Sequence, residues 1–512
     1  MNQKTPGKIR IGHFPLFTHA LPLLPILTFM AAMVVSLSCG SLPPMEEHPT
    51  PPTQAQIAAT PTEETRGTIL WARPLLIPPR APSAVAYLGQ PRDAFFVHED
   101  AVFFADPGGY PAALDLNTGN PLWQWEDKGI VYGVEPQTVY IVRSDQRLYA
   151  LDTRTGQIKW KTIFGLSDNV QADWPLWIGK QTLYLPFRDL GFCLGCPYLV
   201  SIDKNTGQIL WWDSNGLEYE YSESTVIVTL GGGHIRGLHP ITGNAKWDLQ
   251  LAHGYGERHF ILENRLYCKL QGVAGGAPGP IAAIDLDSGK SIWEVGKDYQ
   301  QRGEYYTDIV AVSPALVYAI YATGYHEEAP WHLSVLDRQT GEELWTWPDF
   351  AHIWAGSRER PGYHFVGELE GTTIISHRNL GYTYRVEFRS GSVLWKNDDL
   401  VLNHLVGVSR NTLIALGGSS PDSPFLFGLD PATGERRWRL ELVQLTAQPI
   451  ILQDRIIYGS GQSLVVLDPE TGTFMLTIPL PDRPGRLIAQ GDFIVVQTGS
   501  PGSVGTLSVV RP

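Results

Sequence analysis

Cys193 and Cys196 are the first residues of this chain whose types and spacing could do chemistry. In Phe-Cys-Leu-Gly-Cys-Pro they could close a local disulfide, bind a metal or cycle as a redox pair. Zinc would need two more ligands nearby, and there is no second Cys-x-x-Cys. Haem attachment would need a His after the second Cys, where Pro197 stands. A disulfide stapling its loop is the expected state in an exported chain. Cys268 lies in the apolar run Leu266 to Leu270 and reads as a buried thiol. Glu218 and Glu220 (Leu-Glu-Tyr-Glu-Tyr) could act as an acid/base pair, but strand alternation explains them equally. Asp285-Leu286-Asp287-Ser288-Gly289 has the look of a calcium loop, yet it lacks the Glu six residues after the Gly and the further spaced oxygens. A candidate ligand rim comprises Tyr305, Tyr306, Tyr325 and Trp331, with Tyr299, His326, Glu327 and Glu328 close in sequence. These aromatics fall in two long insertions and read first as exposed loop residues at a rim, and only second as ligand contacts. No GxSxG, HExxH or other catalytic motif is present, so no catalytic, cofactor-binding or metal-ligating residue is assigned.

The elements that must carry these residues are set by one repeated stretch. Ala113 to Trp123 reads ALDLNTGNPLW, and related copies begin at Ala150, Ser201, Gly237, Ala283, Val335, Arg385, Gly428 and Val466. In all nine the Gly falls four residues after the acidic position and the Trp position eight after it. That acidic position is His239 in one copy and Glu387 in another; the last copy has Leu476 in place of Trp. Asp115 is suited to cap a tight turn by accepting from the backbone ahead of it, and Gly119 to supply the positive φ the turn needs. Each copy is therefore a β-hairpin. Small residues two before the acidic position (Ala113, Ala150, Ser201, Gly237, Ala283, Gly428) leave room for a ring, expected from the Trp of a neighbouring unit. Trp123, Trp160, Trp211, Trp247, Trp293, Trp345, Trp395 and Trp438 are thus expected to dock unit against unit.

Self-similarity at this spacing governs the fold. The shortest interval, from Trp211 to Trp247, is 36 residues and the longest, from Trp71 to Trp123, is 52. About 40–50 residues is the period of a four-stranded propeller blade. The Arg-Gly-Thr-Ile-Leu-Trp stretch ending at Trp71 is an outer strand with no blade before it, and residues 477–512 lack a closing outer strand. If the two ends complete one blade, the ring closes and hides its edges. The expected fold class is all-β: a single closed β-propeller of four-stranded blades, about ten of them, with eight as the alternative.

The motif A-x-D-x-x-T-G-x-x-x-W resembles the repeat of the quinoprotein (PQQ-like) β-propellers, whose members include PQQ-dependent alcohol dehydrogenases and the outer-membrane assembly lipoprotein BamB. The likeness covers residues 65–512. It implies a propeller, and for BamB-like members an exported lipoprotein that presents loops to a protein partner. In the dehydrogenase members the cofactor stacks on a disulfide of two adjacent cysteines and is held through calcium by Glu, Asn and a catalytic Asp. This chain has no Cys-Cys pair and no identifiable calcium set. A PQQ-dependent dehydrogenase is disfavoured and no cofactor is expected.

Residues 1–39 carry the basic Lys4, Lys8 and Arg10, an apolar run from Leu21 to Leu37, and Ser36-Leu37-Ser38-Cys39. This reads as an export signal ending in a lipoprotein cleavage site with Cys39 lipidated, the alternatives being ordinary cleavage or an uncleaved anchor. Residues 40–64 are rich in Pro, Thr and Glu and read as a disordered tether; 65–512 form the propeller. The formal net charge of −13 and the absence of a basic run argue against nucleic acid. The expectation is a monomeric, extracytoplasmic, membrane-anchored and non-catalytic scaffold that binds a protein partner. The other reading is a sugar-binding module or an enzyme working on the ring axis.

Overall fold

The computed structural model describes residues 67–77, 95–165, 170–172, 176–189, 197–230, 232–251, 259–271, 278–297, 304–323, 331–347, 363–377, 381–418, 424–500 and 502–512. All regular structure among them is β-strand, arranged as ten antiparallel sheets. In nine, strand order in the sheet follows the chain. Blade 1 spans 95–124, blade 2 130–163, blade 3 170–213, blade 4 218–250 and blade 5 260–295. Blade 6 spans 304–347, blade 7 363–397, blade 8 402–441 and blade 9 445–479. Strands are lettered A to D in chain order within each blade.

Blade 10 draws its strands from both ends of the chain. Pro484–Gln490, Phe493–Thr498 and Val504–Arg511 supply A to C, and Thr68–Leu76 pairs antiparallel with the last as strand D. The register runs from Thr68 opposite Arg511 to Leu76 opposite Val504. The ring thus closes as a β-propeller of ten blades, and its first and last strands cover one another's edges.

The A strands are innermost: they meet between blades 1 and 2 and between successive blades from 5 to 10. Crowding at the centre shows in the glycines. A Cβ on Gly133 would lie 2.9 Å from Ile178 of blade 3, and one on Gly367 2.7 Å from Leu405 of blade 8. The A strands bulge at the same places, between Val131 and Gly133 and between Phe365 and Gly367. In blade 3 the A position is split: Val170–Ala172 and Trp177–Ile178 both pair with the strand Thr182–Asp189.

Between blades lie layers of buried aliphatic and aromatic side chains. Phe103, Ala113 and Trp123 of blade 1, for example, pack on Val131, Val139 and Tyr149 of blade 2. B and C strands are buried on both faces, as in Thr138–Val142. Their side chains alternate between two dry interfaces, so period-2 amphipathicity is weak there.

Candidate functional site

Antiparallel order places the A–B turns, and the C–D turns of blades 1 to 9, on one face of the ring, and the B–C and D–A connections on the other. The first is the turn face and the second the loop face.

The turn face is built from the repeated motif. Asp115 Oδ1 accepts from the Asn117 and Thr118 backbone N–H groups at 3.1 and 2.8 Å and from the Thr118 hydroxyl at 2.7 Å. Gly119 closes the turn at φ 68° with its N–H on Asp115 O. Glu387 reproduces the cap through Oε2, accepting from Arg389 N and Ser390 N. His239 does so through Nδ1, which accepts from Ile241 N and Thr242 N, both at 3.2 Å. Hydrogen bonds from the Thr206 hydroxyl and the backbone, partly offset by desolvation, hold the Asp203 carboxyl below the usual carboxylate range. The Ser390 hydroxyl does the same for Glu387, and the Arg437 guanidinium for Asp430.

These turns receive the tryptophans. Trp123 Nε1 donates to Thr153 O of blade 2 at 2.8 Å, and its ring covers Gly156, whose added Cβ would stand 2.8 Å from Trp123 Cδ2. Trp71, Trp160, Trp211, Trp247, Trp293, Trp345, Trp395 and Trp438 repeat this onto Leu116, Lys204, Pro240, Leu286, Arg338, Phe388, Pro431 and Pro469. Each of these indoles therefore donates to a turn carbonyl of the following blade. One detail differs from expectation. The small residue makes room for the Trp of its own blade: Ala113 pairs with Trp123, and a Cβ on Gly237 would lie 2.1 Å from Trp247. The ring lies across that gap toward the B strand, 6.1 Å from Phe103 in blade 1 and from Tyr267 in blade 5. It then extends forward to the next blade. A neighbour's ring would have to cross the sheet to reach the same place.

Leu476 has a structural reason. It faces blade 10, whose C and D strands are the two ends of the chain and have no turn between them. No motif glycine or turn carbonyl stands there for an indole. The interface is sealed instead by Leu476, Ile478, Val496 and Val510. Ion pairs add stitches along the turn face: Lys204 to Glu135 at 3.1 Å, Arg338 to Glu263 at 2.9 Å and Arg410 to Asp468 at 3.1 Å.

The loop face takes what the motif leaves over. The strand ends flanking 190–196, 298–303 and 324–330 all lie on it. Cys193, Cys196, Tyr299, Tyr325, His326, Glu327 and Glu328 fall outside the described residues, as does Cys39. Tyr305 and Tyr306 lie in strand Glu304–Val312 and Trp331 in Trp331–Asp337, so the blade 6 strands extend through these insertion positions. Tyr305 and Trp331 both pair with Ala322, at the loop-face end of blade 6. The backbone thereby brings these two candidate rim residues into one row. Cys268 is buried, as expected.

At the ring centre sequence reasoning missed a contact. His259, just ahead of the blade 5 A strand, places Nε2 2.5 Å from Glu220 Oε2 on the blade 4 A strand. Glu218 adds charge from the same strand. Burial opposes a charge on His259, but the hydrogen bond and the two carboxylates outweigh it and raise its pKa above the usual value. Glu220 thus serves a junction between blades, and the alternation of Glu218 and Glu220 was its only sequence signal. Among the described residues no group of three or more His, Cys, Asp or Glu side chains could hold a metal ion.

The family model described as "Outer membrane protein assembly factor BamB" matches residues 56–162, 195–396 and 380–475, well over half of the chain. No curated protein matches it. Among solved structures, BamB from Moraxella catarrhalis is similar at 15% identity, over 87% of this chain and 100% of that one, with a TM-score of 0.38. Quinohemoprotein alcohol dehydrogenase from Comamonas testosteroni is similar at 13% identity, over 87% and 76%, with a TM-score of 0.41. The computationally designed Ika8 protein is similar at 12% identity, over 85% and 99%, with a TM-score of 0.34. With the repeat, the ring and the family match in agreement, this chain belongs to the BamB family of PQQ-like β-propellers.

Proposed function

We propose that this protein is an exported, membrane-anchored, non-catalytic scaffold that binds a protein partner through its loop face. The observation that carries the reading is the division between the two faces. On the turn face, the repeated Asp, Gly and Trp are all engaged in capping and docking, which leaves them little to offer a ligand. The strand ends that flank the longer connections, with the backbone positions of Tyr305 and Trp331, lie on the other face, and connections held by a rigid frame are where binding residues concentrate. Family membership supports a protein partner on the extracytoplasmic side. Cys39 would hold the lipid, residues 40–64 would be the tether, and Cys193 with Cys196 would staple a loop-face connection.

The second reading, a sugar-binding module or an enzyme on the ring axis, has one observation in its favour: Glu218, Glu220 and His259 meet on inner strands. Their contact is accounted for by the blade 4–5 junction, so the scaffold reading stands first. Replacing Cys39 separates the possibilities. Cys39→Ala should move the chain from the membrane to the soluble extracytoplasmic fraction, with its partner still co-purifying. A chain that stays in the membrane after this substitution would rule out the lipid anchor.

A further inference from the structure

Strand D of each blade begins at the turn face and forms the outer edge of its sheet. The places one and two before the Trp position lie at that turn-face end. In four consecutive blades they carry large apolar residues: Phe474 and Met475 in blade 9, Ile69 in blade 10, Leu122 in blade 1 and Ile158 in blade 2. Each is more than a third exposed. The fold does not ask for them. One place before the Trp, Lys159, Lys246 and Arg437 turn back onto Thr138, Thr225 and Thr412, at the start of their own B strands. Two places before it, Glu343 and Arg436 stand exposed in blades 6 and 8. A repeat that accepts charge at both places has no folding reason to leave apolar area in water there. Exposed apolar residues at these places in blades 5 and 7 stand on blades whose neighbours lack them.

The folded chain begins inside this run. Gly67 leads into strand D of blade 10, whose first pair, Thr68 opposite Arg511, is at the turn-face end. Blades 9 and 1 flank that strand, so the chain that leads back to Cys39 leaves the ring between Phe474 and Leu122. Residues 40–66 separate Cys39 from Gly67 and can span at most about 95 Å. Charge limits what fits against this rim. Carboxylates cap the adjoining turns, Asp468 in blade 9 and Asp115 in blade 1, so an anionic surface is repelled and a zwitterionic one is not.

We propose that the turn-face rim of blades 9, 10, 1 and 2 rests on a zwitterionic lipid surface, with Phe474, Met475, Ile69, Leu122 and Ile158 at the level of the headgroups. The inference rests on the membrane-anchored reading and gives that anchor an orientation. The turn face lies toward the lipid, and the loop face is presented away from it, toward a protein partner. Apolar side chains set in a polar frame let a protein lie on a bilayer without crossing it. Five such side chains bind weakly alone, but a tether returns them to the surface at high effective concentration.

The test is photolabelling of the full chain on phosphatidylcholine vesicles that contain a phosphatidylcholine with a photoreactive acyl chain, the labelled peptides being read by mass spectrometry. Label is expected in peptides holding 68–71, 121–124 and 474–476, and not in those holding 213–218 at the loop face. Phe474→Ser with Met475→Ser should lower the rim label about tenfold, the worth of two half-exposed apolar side chains. Val393→Ser with Leu394→Ser, in blade 7 and off the run, should leave it unchanged, and adding phosphatidylglycerol should not raise it. Circular dichroism checks that both double variants keep the ring. The proposal is overturned if label stays within residues 1–66, if it falls on 213–218 instead, if the blade 7 pair lowers it as much, or if phosphatidylglycerol raises it. A rim covered by a second copy of the chain stays unlabelled, which overturns it as well. Failure of the lipid anchor shows differently, as a Cys39→Ala chain that stays in the cell membrane.

Discussion

Trp123 offers the sharpest test of how the ring is held. It is 8% exposed, donates to Thr153 O at 2.8 Å and covers Gly156 of the next blade. In Trp123→Leu the indole hydrogen bond is lost, about 1 kcal/mol, and Thr153 O loses that donor. The smaller side chain also gives up apolar burial worth roughly 1–2 kcal/mol. The sum is a destabilisation of about 2–3 kcal/mol, read as a lower midpoint in urea unfolding followed by far-ultraviolet circular dichroism. Gly156→Ala attacks the same junction from the other side. It puts a Cβ on a backbone held at φ +68° and 2.8 Å from the indole, costing about 1–2 kcal/mol for the conformation alone. The chain contains its own control. Leu476→Trp offers an indole to an interface with no motif turn, so it should destabilise by about 1–3 kcal/mol through overpacking. The reasoning fails if Trp123→Leu lies within about 0.5 kcal/mol of the parent chain, or if Leu476→Trp stabilises it.

Two further predictions follow from the turns and the cysteines. Asp203, Glu387 and Asp430 are held below their ordinary pKa values by hydrogen bonds made in the folded state. Their contribution is present above the unfolded carboxylate range of about 4 and is lost as pH falls through the lower folded values. Acid unfolding should therefore shift to higher pH in Asp203→Ala, which removes the acceptor of the turn, as measured by circular dichroism against pH; an unchanged midpoint would show that the cap adds nothing. Intact mass before and after reduction should differ by about two hydrogens, and Cys193→Ser should remove the difference, if those cysteines are bridged.

The fold was legible because its information is local. Asp115, Gly119 and Trp123 fall within one hairpin, and their constant spacing fixes the turn, whereas the uneven intervals between copies left the blade count at about ten with eight as the alternative. The half-motif ending at Trp71 even announced the closure with 504–511. What the sequence could not convey was the detail of packing within and between blades. The small residue at Ala113 or Gly237 predicts a ring above it but not whose ring, because that depends on the tilt of a side chain across the sheet. The meaning of Leu476 becomes visible only when blade 10 is seen to lack a turn. His259 and Glu220 are 39 residues apart and meet only through the ring. Tyr305, Tyr306 and Trp331 looked like loop residues because extra length inside a repeat reads as insertion, whereas the blade 6 strands simply run longer.

The central claim is that a protein partner meets the loop face. The most direct measurement is site-specific photo-crosslinking of the full chain in intact cells. One set of probes would replace Tyr325 or residues of 190–196, and another would replace turn-face positions such as Asn117 and Gln339, which lie beyond their caps. The account predicts a discrete protein adduct from the loop-face probes and none from the turn-face probes. Adducts confined to the turn face, or none from either, would contradict it.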